Sequence, residues 1–139
     1  MSVVTGTNAD DVYLRVPARR VYAPAIRVAA AAVAARGAMN FNTLEELRSA
    51  LDKAMAMLLD GLDVAGGPGE ANLSTTQISV VLRNSNGSFQ MEAERSSGPK
   101  VSEAAARTFQ ETTAGLLDEC RVDRAKRTIW LRKAHKGVG

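Results

Sequence analysis

Residues Thr43–Leu62, TLEELRSALDKAMAMLLDGL, decide how the rest of the chain is organised. Leu44, Leu47, Leu51, Ala54, Leu58 and Leu62 recur at steps of three and four, the period of a helix with one buried stripe. Thr43 followed by Glu46 has the spacing of a capping box, so the helix is expected to open there. Gly61 and the run Gly66-Gly67-Pro68-Gly69 are expected to end it and begin a loop.

Working outward, Val12-Tyr13-Leu14-Arg15-Val16 alternates and stops at Pro17, which predicts a first strand at a sheet edge. Pro24–Arg36 predicts a helix with Pro in its first turn and Gly37 as C-cap. Its narrow apolar face is Ile26, Ala29, Ala30 and Val33, and its small side chains allow close approach of a second element. On the other side, TQISVVLR (76–83), the turn Asn84-Ser85-Asn86-Gly87 and SFQMEAER (88–95) form a hairpin. Phe89, Met91 and Ala93 alternate with Gln90, Glu92 and Glu94, so one face is buried and one wet. Ser102–Leu117 reads as a further helix, with Ser102 as cap and Ala106, Phe109, Thr113 and Leu116 or Leu117 inward. Glu119–Asp123 and Thr128–Lys133 read as two final strands joined by a turn over Arg124–Arg127.

The order strand, helix, helix, strand, strand, helix, strand, strand predicts an α+β two-layer sandwich, a mostly antiparallel sheet covered on one face by about three helices. A chain of 139 residues suits a single domain. It is read as a leader (1–10), one domain (11–134) and a tail (135–139). Apolar residues make up 45% and aromatics 4%, so the expected core is aliphatic. No apolar run has membrane-spanning length, and MSVVTGTNADD lacks the pattern of a secretory signal, so the expected location is cytoplasmic. The single Cys120 excludes an intrachain disulfide, and the single His135 is read as an exposed tail residue without metal-ligand partners. Lys and Arg crowd the segment 121–136 around one acid, Asp123. That segment is read as a solvated turn and tail or as a surface for phosphate or an acidic protein face. No nucleic-acid-binding motif accompanies it, and nucleic acid is not the expected partner.

Leu47-Arg48-Ser49-Ala50-Leu51-Asp52-Lys53-Ala54-Met55-Ala56-Met57 resembles the nucleotide-site helix of the anti-sigma factor/serine kinase group of GHKL (Bergerat-fold) ATPases, roughly L-x-x-A-x-(D/S)-E-A-x-x-N. The resemblance extends through the element order from Val12 to Lys133 and implies a histidine-kinase-like ATPase fold. It also implies homodimers and two competing protein partners, a sigma factor and an anti-sigma antagonist, met by Arg20 and Arg27. The chemistry-bearing positions differ. Lys53 stands at the family's catalytic Glu and Met57 at its Mg²⁺-binding Asn. A charged Lys accepts no proton, and a thioether is a poor ligand for a hard cation. The family's Asp-x-Gly-x-Gly is matched by Ser96-Ser97-Gly98-Pro99-Lys100, where one Gly remains. A lid closing with Gly-x-Gly is missing, and Thr128 stands where the family has a Thr beside adenine.

The degenerate nucleotide-site positions are therefore Lys53, Met57, Ser96, Gly98 and Thr128, with no catalytic residue, no metal site and no ATP/Mg²⁺ expected. Lys53 is read as a phosphate contact or as a Lys snorkelling from a helix flank. The expected function is a regulatory, protein-binding, anti-sigma-factor-like module without kinase or ATPase activity. The alternative is a divergent ATP-binding serine/threonine kinase in which Asp52, Glu45 or Glu46 supplies the carboxylate. A one-residue slip of register to reach them turns the apolar stripe about 100° away from the core.

Overall fold

The computed structural model describes residues 10–62 and 75–135. Strand β1 (Val12–Pro17) leads through a 3₁₀ turn (Arg20–Tyr22) into helix α1 (Ala23–Arg36) and helix α2 (Phe41–Leu58). Then come β2 (Gln77–Ser85), β3 (Ser88–Arg95), α3 (Glu103–Thr113), β4 (Glu119–Asp123) and β5 (Thr128–Ala134). The five strands form one antiparallel sheet in the order β1-β2-β3-β5-β4. Helix α1 packs on β2 and β3, α2 on β5 and on α1, and α3 on α2, which makes an α+β two-layer sandwich. Among the described residues no helix is long and apolar enough to cross a membrane. Residues 1–9 of the expected leader, the glycine-rich run 66–69 and residues 136–139 of the tail lie outside the described residues.

Each strand divides by parity. Val16, Ile78, Val80, Leu82, Phe89, Met91, Ala93, Ile129 and Leu131 are buried and join the core with Leu47, Leu51, Ala54 and Leu58 of α2. Tyr13, Arg15, Glu92, Glu94, Trp130 and Arg121 take the opposite face, where the Arg121 guanidinium lies 4.7 Å from the Trp130 ring centroid. The β2–β3 hairpin closes through Asn86 and Gly87, both at positive φ (52° and 77°), as a two-residue turn requires. Pairing continues through Asn84↔Phe89 to Ser85↔Ser88, so β2 runs two residues further than expected and the turn has two residues in place of four.

Three helix limits differ from expectation: α3 ends at Thr113 rather than Leu117, and α2 differs at both ends. Helix α2 starts at Phe41 with Asn40 as N-cap, whose Oδ1 accepts from the Thr43 N–H at 2.8 Å. Thr43 is therefore not the cap: it lies inside the first turn and is buried. Glu46, freed from a capping box, reaches Lys133 on β5 instead. The helix also ends at Leu58, with Gly61 (φ 80°) in the turns that follow.

His135 is a further correction. It is half-buried rather than an exposed tail residue. Its Nε2 lies 2.7 Å from Asn84 Oδ1, and its main-chain N–H donates to the Gly87 carbonyl at 2.9 Å. Asn84 Nδ2 donates to the Val33 carbonyl at 2.7 Å, which turns Oδ1 toward the imidazole and makes Nε2 the donor. The ring covers Gly37 so closely that a Cβ there would sit 2.4 Å from Nε2. Gly37 itself has φ −86°, and the left-handed residue after α1 is Ala38 (φ 65°). The glycine is thus demanded by the imidazole, not by backbone conformation.

Candidate functional site

Helix α2 presents Lys53 and Met57 one turn apart, and α3 packs alongside. Between the helices runs an open cleft of about 440 Å³. Met57 and Phe109, both buried, line it together with Lys53, Asp60 and Ser102. Lys53 Nζ turns back along its own helix to Ser49 Oγ at 3.2 Å. At the other end Ser102 Oγ lies 3.2 Å from Asp60 Oδ2 while also capping α3 through the Ala105 N–H. Lys53 and Met57 are thus brought together, at a cleft whose floor is apolar.

The loop 96–99 is organised from beneath by Arg95, the last residue of β3. Arg95 is only 1% exposed and lies on the helix-facing side of the sheet, opposite Ile78. Its Nε donates to the Leu58 carbonyl at 2.9 Å, Nη1 to Ser97 O at 2.6 Å and Nη2 to Pro99 O at 2.8 Å. The guanidinium therefore ties the C-terminal end of α2 to the loop. Gly98 has φ +94°, and a Cβ there would lie 2.6 Å from Arg95 Nη1. In the resembling family a glycine in this loop lets the backbone approach a ligand. Here the group that approaches is the protein's own arginine. Burial lowers the Arg95 pKa, the neighbouring Arg127 charge lowers it further, and Asp60 opposes both.

Ser96 and Thr128 are placed elsewhere. Ser96 Oγ accepts from the Gln77 N–H at 2.9 Å, and the Ser96 N–H donates to Gln77 O at 2.9 Å, so the residue extends the hairpin. Thr128 pairs with Glu94 and Asp123 and faces away from the helices, because its neighbour Ile129 faces inward. The five expected positions do not converge on one pocket.

The carboxylates of the kinase alternative are all engaged away from the cleft. Asp52 Oδ1 pairs with Arg27 Nη1 on α1, Glu45 with Arg48 at 3.0 Å, and Glu46 with Lys133 at 2.8 Å. Arg27 thus clasps α1 to α2. Arg20 is exposed in the 3₁₀ turn, and Val21 and Val28 are exposed beside the two arginines. The donor set at Lys53 and Met57, an ammonium and a thioether, does not suit Mg²⁺ or a magnesium-bound triphosphate. Among the described residues no group of three His, Cys, Asp or Glu side chains could hold a metal ion.

Reading motifs alone missed Arg95 and Asp60. Strand parity carried the signal for the first, since Arg95 is in phase with Phe89, Met91 and Ala93. Compared with known proteins, the sequence matches no family model and no curated protein.

Proposed function

We propose that this chain is a regulatory protein-binding module that resembles an anti-sigma factor and has neither kinase nor ATPase activity. The observation that supports it most is the Arg95 guanidinium seated against loop 96–99, with Gly98 accommodating it. A ligand using that loop would have to displace a guanidinium holding three carbonyls, and would then meet Lys53 and Met57 in place of an acid and an amide. In this reading the GHKL-type architecture serves contacts with other proteins. The module works as a cytoplasmic homodimer that exchanges a sigma factor for an antagonist, and Arg20 and Arg27, with the exposed Val21 and Val28 that follow them in sequence, form the partner face.

Calorimetric titration of ATP and ADP into the full chain, with and without Mg²⁺, tests this reading. No heat and no shift in melting temperature are expected. Micromolar, magnesium-dependent binding would overturn it in favour of the kinase.

A further inference from the structure

Loop 96–101 and turn 124–127 lie side by side at one end of the sheet. They are joined by main-chain bonds from Arg95 N to Arg127 O and from Val101 N to Arg124 O, both 3.0 Å. Three arginines serve this junction, and each spends its guanidinium on neutral carbonyls. Arg95 holds Leu58, Ser97 and Pro99. Arg124 Nε donates to Val101 O at 2.9 Å. Arg127 Nε donates to Arg95 O at 3.1 Å, and its Nη1 to Gly98 O and Ala125 O at 3.4 and 3.3 Å. Among the described residues none of the three has a carboxylate at ion-pair distance, whereas Arg27, Arg48, Arg83, Arg107, Arg121, Arg132 and Lys133 all do. Lys100 and Lys126 are exposed on the same two segments and, among the described residues, have no carboxylate at ion-pair distance either.

A carbonyl orients a guanidinium without cancelling its charge. The positive charge of this end is therefore fixed in place without a direct ion pair among the described residues, and part of it is buried, where solvent screens it less. Such a surface attracts anions and speeds their encounter. Among the described residues neither Nη of Arg124 nor Nη2 of Arg127 has a hydrogen-bond partner, so donors remain for carboxylate oxygens.

We infer that the end of the sandwich built from residues 96–101 and 124–127 is a docking surface for an acidic polypeptide segment. The inference rests on the preceding proposal only in taking the partner to be a protein. The patch is confined to two short loops and carries no aromatic ring for base stacking. Asp60 and Asp123 border it, which limits the number of anionic groups it can hold and disfavours a long polyphosphate backbone.

The test is the anisotropy of a fluorescein-labelled peptide of alternating Glu and Ala, titrated with the full chain at low and at physiological ionic strength. Binding that weakens with salt is expected. The double substitution Lys100→Glu and Lys126→Glu, both on exposed side chains, is expected to weaken it on the order of tenfold. Arg48→Glu, on the exposed side of α2, is expected to leave it unchanged. Absence of binding at low salt, equal loss with Arg48→Glu, or tighter binding of a labelled oligonucleotide than of the peptide would each overturn the inference. Failure of the peptide titration removes this surface and leaves the module reading standing. Magnesium-dependent ATP binding removes that reading and leaves the surface.

Discussion

Two buried cations reach from the sheet to the same helix, and they are solved differently. Lys133 on β5 is 8% exposed and meets the carboxylate of Glu46, near the start of α2. Arg95 on β3 is 1% exposed and meets only carbonyls, at the end of α2. The first pair is neutral overall, and its acid is 47% exposed and can return to water. The second leaves a net charge inside, and its partners are main-chain groups with nowhere else to go. The contrast suggests that the first contact serves packing, while the second organises a loop and projects charge.

The largest way to break that contrast is Arg95→Ala. It leaves three carbonyls without charged donors and opens a cavity, at an expected cost on the order of 3–5 kcal/mol in urea unfolding. A cost near that of a surface substitution would mean that the loop does not depend on the guanidinium. Arg95→Lys is expected to recover less than half of the loss, because one ammonium cannot span carbonyls on α2 and on both sides of Gly98. Full recovery would reduce the site to a point charge. At the other cation, Glu46→Ala strands the Lys133 ammonium, with an expected cost of about 1–2 kcal/mol, whereas Lys133→Met is expected to stay within about 1 kcal/mol of the parent. If Lys133→Met proved as damaging as Arg95→Ala, the distinction between the two cations would fail.

The smallest effect concerns His135, two residues beyond Lys133. Burial lowers its pKa below the ordinary 6.5, so the folded state binds the proton less readily than the unfolded chain. The associated stability is fully present above pH 6.5 and is lost as pH falls through the folded value. Melting curves across this range should show the loss, and His135→Gln should flatten it. An unchanged slope in the variant would assign the pH dependence to other groups.

Strand alternation and the α2 stripe made the architecture legible in the sequence. The α2 boundary was not, because Asn40 and Thr43 are both good capping residues, and each has an N–H three residues downstream to accept from, at Thr43 and at Glu46. The same alternation also held information that motif matching passed over. Ile129 and Leu131 face inward, so Lys133 and His135 do too, and Thr128 does not. What no local pattern encoded is which acceptors meet Arg95. Leu58 is 37 residues away in sequence, and a carbonyl carries no residue-specific signature.

The two margins of the sheet limit how anything can attach to it. The margin at β1 ends in Pro17, which has no N–H to offer, and the margin at β4 is five residues long and exposes Glu119, Arg121 and Asp123. Neither is a long, flat template on which another chain could extend the sheet by backbone pairing. Each margin therefore resists strand addition, one by a missing donor at its end and the other by its charged, short run.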